Sequence, residues 1–510
     1  MPAQICKSLR IHAIACTIVL LLLLSGLLPQ SALAAFQVPL QVSEHGGAPR
    51  VHEPLTSGVP IPRDAQVTSV GDLFLTDAEG QSIPAQFQVL ARWDGTADDS
   101  GRPIKWVLID TQADVPAGGT RAIYLNAGGD QGASSPGDIE ITEQEGRFVV
   151  STGRAVFEVS KQHFNLFDSV MVDSDQDGAM DDQVVASPGQ GGLVLTDHLG
   201  KTFSTILEAP EEITIENAGR LHAVLKISGV FKATDGSYFA PSICKTEAYP
   251  DFCQPYPNSF FYYTCRIHFY SGKSQVRVFV TLENNGANGY SNPEKYFAPI
   301  QAVRFDSVDF RLQTTGFSSP KASCGPASAT LASTDRLTVS QVWRENLDDD
   351  VSSTLEPLFS KGPSYQIKKN AAVLAEGSTT PGWVKLQDSD TAVFFAMRDF
   401  WQNFPKEVSV TPSGLNIGLW PKGGYYPRTS DARSEGAYLF DGGRHKTFEM
   451  LLGFQAADQN GGEMCAALNS PLMALAPPEW YARSKALGMI APAGLEFSNP
   501  EIHEAYERFE

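Results

Sequence analysis

The sequence lacks the short motifs that mark several large enzyme classes. It has no G-x-S-x-G nucleophile elbow, no phosphate-binding loop, no dinucleotide fingerprint and no H-E-x-x-H zinc motif. Serine hydrolases, kinases, dehydrogenases and zinc proteases therefore have no support, and we expect no organic cofactor. Paired carboxylates for glycoside hydrolysis are not excluded, because acids are abundant and their pairing is spatial.

Basic side chains are scarce. The chain has 39 Lys and Arg against 58 Asp and Glu, a net charge of −19. This balance disfavours binding to nucleic acid, and it also disfavours a general attraction to acidic polysaccharide. An acidic ligand would need a local basic site.

Long hydrophobic runs are missing except near the N terminus. Lys7 and Arg10 precede an apolar run, and Ala32-Leu33-Ala34 follows it, as in a secretory signal peptide. We therefore expect residues 1–34 to be removed, which changes the net charge to −21 because the segment holds two basic residues and no acid. The mature protein is expected to be secreted or periplasmic, with no membrane attachment after cleavage.

Long amphipathic helices are missing before residue 475, and no repeat of fixed period appears. Runs of Val, Ile, Phe, Tyr and Thr alternate with polar residues and are broken by Gly, Asn, Asp and Pro, which predicts a mainly β chain. The length suggests more than one core. We predict a β domain over residues 36–130, a linker near 126–138 and a large antiparallel β-sandwich over 139–475. The sequence leaves the oligomeric state open.

One hairpin gives the clearest strand pattern. Alternation along FFYYTCRIHFY places Thr264, Arg266 and His268 on one face, opposite Cys265 and Ile267. The polar face has two interpretations, the floor of a ligand cleft or a plain solvent-exposed surface.

The last segment, residues 476–510, turns helical. Asn499-Pro500 matches an N-cap followed by proline at the first helical position. An apolar stripe at helical spacing follows at Ile502, Ala505, Tyr506 and Phe509.

Cysteine is sparse, with seven in the chain and two of these in the signal segment. Export would permit disulfides. Cys244 and Cys253 bracket a Pro- and Tyr-rich loop and are the expected pair. At most one further bond can form among Cys265, Cys324 and Cys465.

An acidic loop resembles the start of a calcium-binding loop. Oxygen-bearing side chains alternate along it, and Gly178 occupies the sharp turn. The usual glutamate at the twelfth position is replaced by Val184, so Asp181 or Asp182 would have to close the site. A structural Ca²⁺ ion is one interpretation and an acidic hairpin loop is the other. The candidate ligands are Asp173, Asp175, Asp177 and Asp181.

One stretch of the chain has a local excess of basic residues, although the chain as a whole is acidic. Between Arg398 and Lys446, seven Lys and Arg stand against five Asp and Glu. Cations beside Trp and Tyr suit a sugar that carries a carboxylate, because the aromatic face stacks on the ring and a cation pairs with the anion. The other interpretation is a hairpin with aromatic core residues and solvated charges.

The same stretch carries a family resemblance. The runs RDFWQNFPKEV, NIGLWPKGG and YLFDGGRHKTFEMLL resemble, in this order, the exo-rhamnogalacturonan lyase family (PcRGLX/YetA-like proteins). GVPIPRD, KWVLIDTQADVPAGGTRAIYL and FNLFDSV upstream and PLMALAPPEWYA downstream are also similar, so the resemblance covers most of residues 36–510. The histidine usual in the family's K-T-H-E run is Phe448 here, and His445 lies three residues earlier.

The resemblance implies a fold and an activity. The fold would be a RIFT-type β-barrel over residues 36–130, a β-sandwich over 139–475 and the start of a C-terminal α/α toroid over 476–510, with most of the toroid missing. The activity would be β-elimination on a uronate-containing polysaccharide or oligosaccharide of the rhamnogalacturonan or pectin type.

Such an elimination needs a cation for the carboxylate, a base for the C5 proton and an acid for the leaving oxygen. From residue chemistry, the candidates for these catalytic roles are Arg428, Arg444, Lys446, His445, Tyr425 and Tyr426. The candidates for substrate binding are Arg398, Trp401, Trp420 and Lys422. The alternatives are a non-catalytic carbohydrate-binding β module or an inactive fragment of such a lyase, and after these a glycoside hydrolase.

Overall fold

The computed structural model describes residues 36–128, 138–174, 177–241, 243–244, 259–286, 301–343, 362–388, 391–423, 437–454 and 460–488. The mainly β prediction is confirmed, since these residues form several antiparallel sheets and two short α-helices. The physical basis is the alternation seen in the first strand, where Val38, Leu40 and Val42 are buried and the residues between them are exposed.

The first hydrophobic core lies between two small sheets. Their strands are β1 (Phe36–Ser43), β2 (Arg50–Pro60), β3 (Leu73–Thr76), β4 (Ser82–Ile83), β5 (Ala85–Arg92), β6 (Ile104–Val115) and β7 (Thr120–Ala127). They pair in the orders β1-β7-β3-β4 and β2-β6-β5. These described strands form two separate sheets rather than a closed barrel of the RIFT type.

The second and larger core is enclosed by three further antiparallel sheets, one of five strands, one of ten and one of nine. The five-stranded sheet contains β8 (Glu140–Glu143), β9 (Arg147–Ser151), β10 (Ala155–Ser160), β11 (Ser169–Val172) and β12 (Asp182–Ala186).

The ten-stranded sheet contains β13 (Gly192–Asp197), β14 (Thr202–Ser204), β17 (Ile243–Cys244), β20 (Gln301–Gln313), β23 (Leu337–Trp343), β24 (Pro363–Lys369), β25 (Ala372–Gly377), β28 (Lys406–Thr411), β29 (Gly414–Trp420) and β30 (Tyr438–Asp441). The nine-stranded sheet contains β15 (Glu212–Ala218), β16 (His222–Val230), β18 (Phe261–Tyr270), β19 (Gln275–Asn284), β21 (Lys321–Cys324), β22 (Ala327–Thr330), β26 (Trp383–Gln387), β27 (Ala392–Met397) and β31 (Arg444–Phe454).

The inner faces of these sheets share one hydrophobic cluster, and a smaller apolar cluster on the outer face of the nine-stranded sheet includes Phe394, Ala396 and Leu451. The alternation predicted for the hairpin is confirmed in β18. Cys265 and Ile267 are fully buried, whereas Arg266 and His268 lie on the outer face of the nine-stranded sheet.

Two short helices end the described chain. α1 (Gly461–Asn469) lies against the outer face of the nine-stranded sheet, where Met464 and Leu468 pack on Phe394 and Leu451. The following strand β32 (Ala474–Leu475) pairs with β1, and α2 (Pro478–Ser484) then packs on the first core. There the Trp480 indole N–H donates to the Pro60 carbonyl at 2.8 Å.

Two expectations about the ends of the chain lie outside the described residues. The helix expected after Asn499 is one, and the signal segment over residues 1–34 is the other, so both stay predictions. Within the described part of the chain, no helix combines the length and the apolar character that a membrane crossing requires.

Candidate functional site

A row of polar residues crosses the outer face of the ten-stranded sheet. Asp309 in β20 and Glu407 in β28 are both paired in register with Gly418 of β29, and Ser340 of β23 continues the row beyond Glu407. The neighbouring row, Phe310, Ile417, Val408 and Val339, is buried in the large core. Alternation along the strands therefore directs both carboxyl groups away from the core.

Gly418 separates the two acids without filling the space between them. A Cβ at this position would lie 3.0 Å from the Pro421 Cβ, which is a tight contact, and 3.4 Å from the Glu407 Cβ, so Pro421 is the neighbour that would oppose a larger residue. Asp309 and Glu407 stand two strands apart, which corresponds to about 9.6 Å between their Cα atoms.

Burial raises the pKa of both carboxyl groups. For Asp309 this effect is opposed by Asn416, whose amide donates at 3.1 Å, and by Arg311, whose guanidinium lies 3.8 Å away. For Glu407 it is opposed by Ser340, which donates at 2.8 Å, and the negative charge of Asp309 raises the Glu407 pKa further. Both pKa values are therefore raised, and at Glu407 the charge of Asp309 adds to the effect of burial while Arg336 and Lys368 oppose it.

A shallow cleft of about 410 Å³ opens above this surface. Glu407 and Asn416 line it directly, and Asp309 is joined to it through its hydrogen bond to Asn416. The other polar lining groups include Arg311, Gln313, Arg336 and Ser409. The arrangement can bind hydroxyl groups and transfer protons between a carboxylic acid, a carboxylate and a bound ligand.

Sequence reasoning did not find this pair. Asp309 and Glu407 are almost a hundred residues apart, and no local motif joins them. The alternation of DFRLQ and KEVSV was a usable signal, since it indicates an acid on the polar face of each strand, but the pairing of β20 and β28 with β29 was not predictable from it.

The basic aromatic stretch is divided between core and surface. The Trp420 ring lies 5.0 Å from Phe448, 5.4 Å from Phe305 and 5.8 Å from Phe440, so its contacts are those of a core residue. Trp401 is 38% exposed. The two candidate stacking residues therefore do not form one aromatic surface.

The predicted cations are mostly paired with acids or amides. Arg398 donates to Glu449 at 3.0 Å, Lys422 lies 2.9 Å from Asp306, and Arg444 lies 3.7 Å from Asp441. Lys446 donates to the Asn403 side chain at 2.5 Å, and His445 is exposed. Tyr425, Tyr426, Arg428 and the neighbouring Arg433 lie outside the described residues.

Lys406 shows why the local charge count was misleading. Its side chain is buried, and its ammonium donates to the carbonyl oxygens of Asn403 and Pro405 at 2.6 and 2.8 Å. Burial lowers its pKa far below the ordinary value, and nearby Lys446 adds to this effect. This cation contributes to packing rather than to a basic ligand surface.

A chain of hydrogen bonds connects the two cores. His222 Nδ1 lies 2.8 Å from the Asp110 carboxylate, and His222 Nε2 lies 2.9 Å from His268 Nδ1, both within hydrogen-bonding distance. Burial, together with His222 and Arg277, lowers the pKa of His268 to about 3, so His268 is neutral. Tyr270 stacks on His222 with 4.8 Å between ring centroids. We interpret this chain as an interface element that sequence reasoning missed, because Asp110 and His222 share no local motif.

The calcium interpretation stays a prediction. Asp173 accepts from the Gly178 N–H at 3.1 Å, and Asp182 accepts from the Ser174 N–H at 3.1 Å, so the loop is held partly by its own backbone. Asp177 and Asp181 are described, whereas Asp175 is not. Among the described residues, no group of three or more His, Cys, Asp or Glu side chains forms a metal-binding cluster.

Three of the five cysteines outside the signal segment have side chains in the described part of the chain. Cys265, Cys324 and Cys465 are buried free thiols. The Cys253 residue and the Cys244 side chain lie outside the described part of the chain, so their disulfide stays a prediction.

Comparison with known proteins gives no close relative. No protein-family model matches the chain, and no curated protein matches it. An alpha-mannosidase from Enterococcus faecalis V583 aligns with 86% of this chain and 46% of its own, at 11% identity and a TM-score of 0.41. A galactose mutarotase related enzyme from Lactobacillus acidophilus aligns with 62% of this chain and 97% of its own, at 12% identity and a TM-score of 0.28.

A putative aldose 1-epimerase from Klebsiella pneumoniae aligns with 65% of this chain and 85% of its own, at 10% identity and a TM-score of 0.33. The chain spans under half the length of the alpha-mannosidase. The TM-scores of these three alignments lie between 0.28 and 0.41.

The assignment to the exo-rhamnogalacturonan lyase family is wrong. No family model matches, and the solved structures that align include alpha-mannosidases and a galactose mutarotase related enzyme. The predicted β-elimination is wrong for the same reason, and its alternative of a binding module or inactive lyase fragment has no support. Phe400, Lys406 and Phe448, which lie in the sequence runs that resemble the lyase family, are buried. The similarity of these runs therefore reflects core packing and does not indicate a lyase site.

Proposed function

We propose that this protein is a carbohydrate-processing enzyme that hydrolyses a glycosidic bond with Glu407 and Asp309. The observation that supports this most strongly is the placement of two carboxyl groups in one register row, both with a raised pKa, beside a polar cleft. Glycoside hydrolysis uses such a pair, one group as the acid and the other as the base.

Glu407 would act as the general acid. Its pKa is raised by burial and by the charge of Asp309, which keeps a proton available for the glycosidic oxygen. Asp309 would act as the general base, because Asn416 and Arg311 favour its charged form. Water attacks the anomeric carbon and gives its proton to Asp309, the carbon–oxygen bond breaks, and the leaving oxygen takes the proton of Glu407.

The spacing supports an inverting reaction. Two strand intervals separate the acids by about 9.6 Å at the backbone. Inverting enzymes have carboxyl groups about 6.5–9.5 Å apart, with room for a water molecule, and side chains on one sheet face can bring their carboxyl groups into that range from a Cα separation of about 9.6 Å. The polar cleft, with Gln313, Ser409 and Asn416 among its lining groups, supports a hydroxyl-rich substrate.

The test is hydrolysis of a panel of methyl glycosides of neutral hexoses, α-mannoside included, measured as release of the free hexose, because a poor leaving group must be protonated as it departs. We expect turnover by the unmodified chain and a loss of about 10²- to 10⁴-fold in kcat for Glu407→Gln, because general acid catalysis contributes that much. Asp309→Asn should reduce kcat similarly. The pH profile should be bell-shaped, with its alkaline limb above the ordinary pKa of a glutamate.

Glu376→Gln is the matched control, because Glu376 is an exposed carboxylate on β25 of the same sheet. It should leave the turnover unchanged. Absence of turnover on every glycoside, or equal turnover by Glu407→Gln and the unmodified chain, would reject the proposed function.

A further inference from the structure

Two basic residues at one end of the cleft have no role in the reaction proposed above. Arg336 lines the cleft and stands immediately before β23. Lys368 lies on the neighbouring strand β24, where it is paired in register with Thr338 of β23. Because Thr338 follows Arg336 by two residues, alternation along the strands places both long side chains on the outer face of the sheet.

These two cations are not engaged by the protein itself. Among the described residues, neither the Arg336 guanidinium nor the Lys368 ammonium forms a side-chain hydrogen bond or an ion pair. Asp335, the acid next to Arg336 in the chain, is held elsewhere, by Lys369 at 2.9 Å and by the Asn370 amide at 2.9 Å. Arg336 is exposed and Lys368 is half-buried, so a ligand can reach both.

The other arginine of the cleft is placed differently. Arg311 donates through Nε to Asn416 at 3.1 Å, and its guanidinium lies 3.8 Å from Asp309. It therefore supports the acid pair from one side. Arg336 and Lys368 face the cleft from the other side without such a partner.

The register brings the two cations close enough to act on one group. The Asn370 N–H donates to the Arg336 carbonyl at 2.8 Å, so these two residues lie opposite each other. Lys368 precedes Asn370 by two residues and is thus a diagonal neighbour of Arg336, about 7–8 Å away and within reach of long side chains. Both cations also oppose the rise in the pKa of Glu407, so their charges act at the cleft.

A phosphate or sulfate ester suits two cations that approach from different strands. Its three terminal oxygens accept several hydrogen bonds at once, two from the guanidinium fork and a third from the ammonium. Hydrogen bonds between ionised partners are about twice as strong as neutral ones. An unsubstituted hydroxyl group would leave both charges unused.

The position of the cations relative to the acids fits a substituent on the sugar. Arg336 lies four residues before Ser340, the β23 member of the acid row, which corresponds to about 13.6 Å along the strand. The side chains of Arg336 and Glu407 shorten this gap. An ester on the exocyclic carbon of the sugar can therefore be held at Arg336 while the glycosidic oxygen lies at Glu407.

We propose that the cleft selects a hexoside that carries a phosphate or sulfate ester on its exocyclic carbon, with the ester oxygens on Arg336 and Lys368. This inference rests on the proposed hydrolysis at Glu407 and Asp309, whose substrate class it narrows. Binding energy from a group remote from the reacting bond, when it is the same in the ground state and the transition state, lowers KM and leaves kcat unaltered.

The test is calorimetric titration of the full chain with glucose, galactose and mannose, with their 6-phosphates and 6-sulfates, and with inorganic phosphate. We expect at least one ester to bind about tenfold or more tightly than both its parent hexose and inorganic phosphate. Comparison of the two kinds of ester identifies the anionic group. The methyl glycoside of that ester should show the same advantage in kcat/KM over the neutral methyl glycoside, and the difference should lie in KM.

Arg336→Gln and Lys368→Gln should each reduce the preference for the ester about tenfold, because a charge-assisted hydrogen bond is lost. Neither side chain has a partner among the described residues, so both variants are expected to fold, and their melting temperatures check this. Lys321→Gln, which removes an exposed charge from β21 of the nine-stranded sheet, is the matched control and should keep the preference.

The titration separates this inference from the hydrolase proposal, because binding needs no turnover. Ester binding that both variants weaken, without hydrolysis of any glycoside, would reject the hydrolase and support the ester site. Three results would overturn the inference whatever the turnover of neutral glycosides: esters that bind no better than the parent hexose or inorganic phosphate, a preference that both variants retain, and equal weakening by Lys321→Gln.

Discussion

Acidic side chains on the outer faces of the two large sheets differ in how they are paired. On the nine-stranded sheet, Glu449 lies between Arg398 and Arg277, and Glu216 accepts two hydrogen bonds from Arg266. On the ten-stranded sheet, Glu407 has only a serine hydroxyl as its hydrogen-bond partner among the described residues.

The difference separates charges that hold the fold from charges that are available for chemistry. A carboxylate between guanidinium groups keeps its charge and contributes to stability. A half-buried carboxyl that accepts one hydroxyl hydrogen bond and lies beside another acid is held nearer to neutral, which costs stability but provides a transferable proton. We expect the same Glu→Gln change to lower stability where the carboxylate is paired with arginine and to raise it slightly at Glu407. Such opposite effects on stability would support this comparison.

The largest effect is expected where pairing is most complete, at Glu44. Burial opposes its ionisation, but the N–H groups of Gly118 and Gly46 and the guanidinium of Arg50 outweigh it and lower its pKa to about 2. Glu44→Gln leaves the Arg50 charge buried without a counterion and should cost about 3–5 kcal/mol in the free energy of unfolding. Urea unfolding at neutral pH measures this.

The pH dependence gives an independent check. Since the folded-state pKa of Glu44 is depressed, its contribution is present above the ordinary value of 4.5 and is lost as the pH falls towards about 2. The difference between the unmodified chain and Glu44→Gln should shrink over that interval. A difference that is constant with pH would contradict the pairing argument.

An intermediate effect is expected for Glu449→Gln. The change removes the anion between Arg398 and Arg277 and should lower the free energy of unfolding by about 1 kcal/mol, a modest amount because Arg398 is 37% exposed and screened by solvent. Chemical unfolding is the measurement, with Glu376→Gln as the control that should change nothing. A stabilised Glu449→Gln would break the comparison.

The smallest effect, and one of opposite sign, is expected for Glu407→Gln. Because the folded-state pKa of Glu407 is raised, its favourable contribution is present below the ordinary value of 4.5 and is lost as the pH rises through the folded-state value. The glutamine variant should therefore melt slightly higher than the unmodified chain at neutral pH and equally at acidic pH. A lower melting temperature at neutral pH would show that ionised Glu407 is stabilised by a partner.

Local pattern predicted the strands well and the site poorly. Alternation of Thr264, Cys265, Arg266 and Ile267 assigned the two faces of β18 correctly, because burial of one face dictates a period of two. The site depends on which distant strands pair, and that pairing is decided by packing across the whole sheet.

Trp420 illustrates the limit of local reasoning. Its position at a strand end beside Lys422 predicted an exposed sugar platform. A register shift between Val308 and Asp309 aligns Trp420 with Val308, a core residue, so the indole turns inward. A bulge of this kind reverses the face of a side chain and leaves no mark in the composition of the strand.

The return of β32 and α2 to the first core has a consequence for biosynthesis. Trp480 packs beside Phe36 at 5.4 Å between ring centroids, although more than four hundred residues separate them in the chain. During translation, β1 leaves the ribosome long before the strand that covers its edge, so the first core stays open while the sandwich is made. Contacts of such long sequence separation form slowly, and the unpaired edge of β1 is exposed meanwhile. A truncated chain that stops before residue 474 would retain that edge, and we expect it to need a chaperone or to aggregate.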